Sequence, residues 1–255
     1  MSQADESIGR KVLFLYPHSV IQDELVQLLM WSEYEVYLVR DHARLLGFLA
    51  EHPESVLFIN IDEVLEEPEW EQYIRNLRAS ERTSRVQIGI LSYNDDRALA
   101  EKYLMDIGVQ CGFVRLKIGL RESSQIILKT LAAVEARGKR KYVRAQCDEK
   151  SATFNIRYED RYVSGRIQDI SSAGMAVIFD EPLELEPKTP LEDMQLKLKG
   201  KLLKMSGVSF GSRKHGGQDL YVVLFKKPPQ HIKLALHNFI FQTLQASLER
   251  ELKFY

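Results

Sequence analysis

Five cations crowd into eight residues, 137 to 144, in the run Arg-Gly-Lys-Arg-Lys-Tyr-Val-Arg. Two of them, Arg140 and Arg144, stand in an R-x-x-x-R spacing. Asp169, Ser171 and Gly174 follow 25 residues after Arg144 in a D-x-S-x-x-G pattern. A guanidinium is a planar fork of N–H donors suited to phosphate oxygens. A carboxylate only accepts hydrogen bonds, a hydroxyl both donates and accepts, and a glycine lets another group come close to the backbone. Each motif also has an ordinary reading. Cations after a helix can face its last carbonyls, and Asp and Ser in a turn commonly bond their own backbone. Their occurrence together and in order favours a shared anionic ligand.

The elements that must position these residues change character near residue 137. From 10 to 136, short apolar runs alternate with stretches of helical periodicity: "KVLFLY" then "VIQDELVQLLMWSEY" with Val20, Leu25, Leu28 and Leu29 at helical spacing, and four further cycles down to "VQCGFVRL" and "SSQIILKTLAAVEA". Five strand–helix pairs predict an α/β domain, a doubly wound parallel five-stranded sheet with helices on both faces. The last helix is expected to run unbroken to Gly138 and to end there in a left-handed cap. From 137 to 255 the pattern turns to six strand-sized pieces without helices between them, which predicts a small antiparallel β-barrel. The segment "HIKLALHNFIFQTLQASLERELKFY" then predicts a terminal α-helix. Its stripe of Leu236, Phe239, Ile240, Leu244, Leu248 and Leu252 would cap the barrel or meet another copy.

Both motifs, in this order and inside such a barrel, resemble the PilZ domain, the bacterial receptor for cyclic di-GMP; the resemblance covers about residues 137 to 252. It implies that Arg140, Arg144, Asp169, Ser171 and Gly174 bind this dianion. The arginines would fork onto phosphate or onto guanine O6 and N7. Asp169 would accept from a guanine Watson–Crick edge, and Ser171 would bond a phosphate oxygen or brace an arginine. Gly174 would admit the ligand close to the backbone. Lys139, Lys141 and Arg137 would either add to the ligand's field as further contacts or only face water. Lys139, just before the first motif arginine, leans the stoichiometry toward a stacked ligand pair.

The order and lengths of the first half resemble the receiver domain of response regulators, but the phosphorylation residues are missing. The acidic pair that would hold magnesium falls on Tyr16 and Pro17. The acceptor aspartate falls on Asn60, with Asp62 two residues on in the loop. Ser92 matches the hydroxyl position, and the lysine position falls on Leu116 or Lys117. The resemblance therefore implies a pseudo-receiver that contacts partners or its own second half.

Composition bounds the rest. Residues 1 to 135 hold 14 Lys/Arg and 22 Asp/Glu, a net of −8; residues 136 to 255 hold 21 and 14, a net of +7. The halves could dock on one another, or the basic half could face a polyanion. The acidic, polar N-terminus "MSQADESIGR" and the lack of an apolar run of roughly 18 residues predict a cytoplasmic protein. Cys111 and Cys147 stand far apart, so neither a disulfide nor zinc is expected. His215 is placed in a hairpin loop with no ligand partners, His231 and His237 at a surface or interface, and Trp31 and Trp70 in helix packing. With no positioned nucleophile or metal-binding carboxylates, no enzyme is expected, and no cofactor beyond the ligand. The leading expectation is a non-catalytic cyclic di-GMP effector in bacterial signalling, in which the ligand orders the arm onto the barrel and changes domain orientation and partner binding, for a motility or regulatory protein. It would act as monomer or homodimer. The alternative, nucleic-acid binding by the basic half, explains the charge but leaves Asp169 without a role. Phosphorelay through Asp62 comes last.

Overall fold

This computed structural model describes residues 9–159 and 161–255, and the backbone alone for residues 19–23. Val20, placed on the first helix's stripe, thus lies outside the described side chains. Contacts divide the chain into two compact units, one running up to Lys141 and including Gln245–Tyr255, the other Tyr142–Leu244.

The first unit holds β1 (Lys11–Leu15), α1 (Ser19–Trp31), β2 (Glu35–Val39), α2 (His42–Glu51), β3 (Val56–Asn60), α3 (Glu67–Ala79), β4 (Gln87–Ser92), α4 (Arg97–Glu101, continued by a π-helical turn to Ile107), β5 (Phe113–Arg115) and α5 (Leu120–Ala133). The strands form one parallel sheet in the order β2-β1-β3-β4-β5. The doubly wound expectation is therefore met. Its physical cause is legible in β3, where all five residues are buried, as a strand covered on both faces by helices requires.

Two details depart from the periodicity. Helix α5 stops at Ala133, well short of Gly138. Glu135 takes a left-handed φ of 52°, Ala136 N donates to Leu131 O at 3.0 Å and Glu135 N to Ala132 O at 3.2 Å. This pair of bonds is a Schellman motif, formed without glycine. Its driving force is Ala136, which is drawn into the core at 1% exposure and accepts from Arg10 N at 2.8 Å beside β1.

The second departure concerns the chain's end. Gln245 presents its amide to the open edge of β2, donating to Leu38 O at 2.8 Å and accepting from Leu38 N at 3.0 Å. It thereby satisfies two backbone groups that an edge strand leaves unpaired. His52 and Glu251 add a 2.9 Å contact, and the Tyr255 ring occupies the space where a side chain at position 47 would lie, so Gly47 is glycine for room.

The second unit carries β6 (Arg144–Gln146), β7 (Ala152–Tyr158), β8 (Arg161–Ser171), β9 (Gly174–Phe179), β10 (Pro190–Leu198), β11 (Lys201–His215) and β12 (Gln218–Phe225). Antiparallel pairing runs β8-β7-β10-β11-β12-β9 and closes from β9 back to β8. The six predicted strands thus make a closed barrel. The seventh, β6, is three residues long and lies along β8 outside the closed circuit. Buried positions alternate along β7 and β11, whereas β9 is buried throughout; Phe154, Ile156, Ile167, Val177, Leu196 and Val223 stand at 0–1% exposure. The two-residue turn Gly216–Gly217 between β11 and β12 has φ of 56° and 80°, the paired left-handed turn that matches strand twist. Helix α6 covers Gln230–Leu252. All six residues of its expected stripe are buried, and so is His237, at 5% exposure. Of the two places expected for His237, surface or interface, burial excludes the surface: it shares a helical face with Leu236 and Ile240 and goes inward with them.

Candidate functional site

The site is made by a bulge. Along β8 the inward residues are Val163, Gly165 and Ile167, at every second position, but the next inward residue is Ile170. The β8–β9 register slips between Ile167 and Asp169, so Gln168 is an extra residue. A bulge moves the alternation by one and re-aims the side chains after it. Without it Asp169 would point into an apolar barrel; with it Asp169 and Ser171 share the outer side.

Strand β6 completes the arrangement. Arg144 lies opposite Ser171, Ala145 opposite Ile170 and Gln146 opposite Asp169. Ala145 and Ile170, both 0% exposed, anchor the pair in the core, which leaves Arg144 and Gln146 outward. Arg144 Nη1 stands 3.8 Å from Asp169 Oδ1, with side-chain exposures of 56% and 14%. A contact this long from an exposed guanidinium contributes about 0–1 kcal/mol, so the guanidinium is held near the carboxylate yet can turn to a stronger anion.

The remaining predicted residues are placed less uniformly. Ser171 is 6% exposed. Its hydroxyl donates to Gly174 O at 3.2 Å and accepts from Ala173 N at 3.3 Å, so it spends its proton on its own turn. A Cβ on Gly174 would stand 2.5 Å from Val223 O and 3.3 Å from Leu224 Cα, so the close approach of β12 requires the glycine. Replacement of Gly174 by alanine is expected to destabilise the barrel by about 1–3 kcal/mol, the usual range for overpacking, measured as a lowered urea midpoint without ligand; an unchanged midpoint would refute the packing account.

Arg140 sits on the exposed bend before the unit boundary. Lys139 and Lys141 are exposed there too. Arg137 is used within the first unit, its guanidinium carbon 5.1 Å above the Tyr34 ring, a cation–π contact.

Gln146 and Cys147 lie outside both motifs. Gln146 carries no motif; only the β6–β8 register brings it to Asp169. Burial first, and then the charge of Asp169, push the Cys147 thiol up to about 12, which keeps it protonated and a poor nucleophile at neutral pH.

The first unit's strand ends have a different chemistry. Asn60, 1% exposed at the end of β3, donates to Tyr16 O at 2.9 Å. Asp62 accepts from Ser92 Oγ and Tyr93 N, each at 2.5 Å, so its carboxylate ties two loops together. Lys117 pairs with Asp95 at 3.1 Å. Tyr16, with its O–H 2.9 Å from His42 Nδ1, packs against Trp70, and Trp70 against Tyr73, at ring separations of 6.0 and 5.6 Å. Among the described residues no three His, Cys, Asp or Glu side chains gather as a metal would require, and no helix is long and apolar enough to cross a membrane.

Comparison with known families decides the second half. The family described as the PilZ domain matches residues 138–242. This segment is a PilZ domain. Both motifs fall within the match, as does the whole β6–β8 ladder. No curated protein matches the chain. Among solved structures, it is similar to the PilZ domain with c-di-GMP of YcgR from Escherichia coli, at 14% identity and a TM-score of 0.40, over 44% of this chain and 97% of that one. It is also similar to the MrkH–c-di-GMP complex of K. pneumonia (16% identity, TM-score 0.39, 45% and 55% covered) and to the inhibitor of motility MotI/DgrA of Bacillus subtilis (15%, 0.35, 41% and 50%). The likeness to these longer neighbours spans about half of their length.

Proposed function

We propose that the chain is a non-catalytic receptor for cyclic di-GMP, acting in the cytoplasm of a bacterium, with the PilZ half (137–255) as the ligand-binding domain and the receiver-like half (10–136) as a partner-contacting domain that is not phosphorylated. One observation carries the reading: within a PilZ domain, the β6–β8 register sets Arg144 beside Asp169 and Ser171. Arg144 would leave its weak ion pair and fork onto a phosphate or a guanine Hoogsteen edge. Asp169 would accept from guanine N–H groups, and Ser171 would hold the turn and brace Arg144. Arg140 is four residues upstream, a reach of about 14 Å of extended chain, so the arm can bring its guanidinium to the same ligand. Lys139 and Lys141 add to the field, while Arg137 stays with Tyr34. Ordering of this arm is the step by which the ligand would change the surface offered to a motility or regulatory partner.

Calorimetric titration of the full chain tests the reading. Saturable binding of cyclic di-GMP, and far weaker binding of cyclic di-AMP, is expected, since adenine turns an acceptor toward Asp169 where guanine turns donors. Heats equal to dilution for both would remove it.

A further inference from the structure

Gln146 faces Asp169 across the β6–β8 ladder, and the phase of the ladder makes this a close pair. Cys147 N donates to Gln168 O at 2.9 Å, which marks Cys147 and Gln168 as a hydrogen-bonded pair. Antiparallel pairs alternate, so Gln146 and Asp169 form the non-hydrogen-bonded kind, with Cα atoms about 4.5 Å apart and side chains nearest each other. Both point outward, because Ala145 and Ile170 between them point in. A carboxylate that only accepts therefore stands beside an amide that can donate.

Resting on the receptor reading above, we infer that Gln146 is a specificity-determining residue of the ligand site: its Nε2 amide donates to the O6 acceptor of the guanine whose N1–H and N2–H groups Asp169 accepts. The Watson–Crick edge of guanine presents O6, N1–H and N2–H in a row, an acceptor followed by two donors. An amide next to a carboxylate is the complement of that row. Adenine places a donor where guanine has O6 and an acceptor where guanine has N1–H, so the carboxylate meets it with the wrong sign. The bulge at Gln168 and the short strand β6 are then two parts of one device: the first turns Asp169 outward, and the second supplies its neighbour.

The experiment uses the full chain with two probes, cyclic di-GMP and cyclic di-IMP, the second keeping O6 and N1–H but lacking the 2-amino group. Gln146→Leu is expected to weaken both by the same factor, about tenfold, the loss of one hydrogen bond to a buried acceptor. Gln146→Glu sets an acceptor against O6 and a negative charge against a dianion, and should weaken both further. A Gln146→Leu affinity within twofold of wild type overturns the inference and leaves the receptor reading standing. Loss on cyclic di-GMP alone overturns the assignment to O6. If wild type binds neither probe, the receptor reading itself falls. Should Gln146→Leu melt early, Gln146→Thr, which suits a strand, is used in its place with the same expected factor.

Discussion

Replacing Arg140 and Arg144 together by alanine is expected to abolish measurable binding of cyclic di-GMP, while leaving the thermal transition of the unliganded chain within a few degrees of wild type. Each single replacement should weaken binding by about 1–3 kcal/mol, roughly five- to 150-fold, the range for one bidentate contact. The asymmetry between binding and stability is the informative part. Arg144 is 56% exposed and its contact with Asp169 is 3.8 Å long, so folding gains little from it. Arg140 lies on an exposed bend. Titration calorimetry beside a melting curve checks both statements. A double variant that still binds within tenfold of wild type would mean that the anion site lies elsewhere.

The largest loss of stability is expected in the first unit, from Trp70→Ala, at about 3–5 kcal/mol. In a sheet ordered 2-1-3-4-5 the chain direction of the crossovers reverses beside β1 and β3, and the crevice at the carboxyl ends of those strands is where such folds place ligands. Here that region is occupied by protein. Trp70 is 0% exposed; its ring lies 6.0 Å from Tyr16, 5.8 Å from His42 and 5.6 Å from Tyr73, and its Nε1 donates to Glu63 O at 3.1 Å. Burial pushes the Tyr73 phenol up, so its O–H keeps donating to His42 O at 2.9 Å across the physiological range. Removing the indole deletes a large apolar volume and one satisfied donor at once. Urea unfolding followed by circular dichroism measures the cost, with Trp31→Ala, at a residue 37% exposed, as the milder comparison. A Trp70→Ala loss below about 1 kcal/mol would contradict a packed, ligand-excluding crevice.

How much of this could be read from the sequence depends on how local each signal was. The five parallel strands announced themselves because strands buried on both faces must be apolar at consecutive positions, as in Val56–Asn60. The barrel strands were legible through alternation and turn residues. Strand β6 was not, because three residues carry no period; only its pairing with β8 makes it a strand. The bulge at Gln168 was hidden for a related reason. Read by strict alternation, Asp169 would share the inward face with Ile167, and nothing in "RIQDIS" announces the extra residue except the conflict itself: a carboxylate and Ile170 cannot both follow Ile167 in phase. The end of α5 lies before the expected glycine, and Gly138 takes its left-handed φ of 65° in the turn beyond. Ala136 reached the core first, and Glu135 accepted the left-handed backbone that this requires. For His237 the sequence left surface and interface open, and its helical position among buried residues removes the surface. The motif residues themselves were found by spacing, but spacing said nothing of Gln146, whose place depends on a partner strand 23 residues away.

The central claim, that the face formed by β6 and the bulged end of β8 is where cyclic di-GMP binds, is tested most directly by amide hydrogen exchange of the full chain with and without saturating ligand. Protection concentrated in residues 139–147 and 168–174, with the strand ends around Asn60, Asp62 and Ser92 unchanged, is the predicted result. Exchange that is unaltered in both barrel segments, or protection that appears at the first unit's strand ends instead, would contradict it.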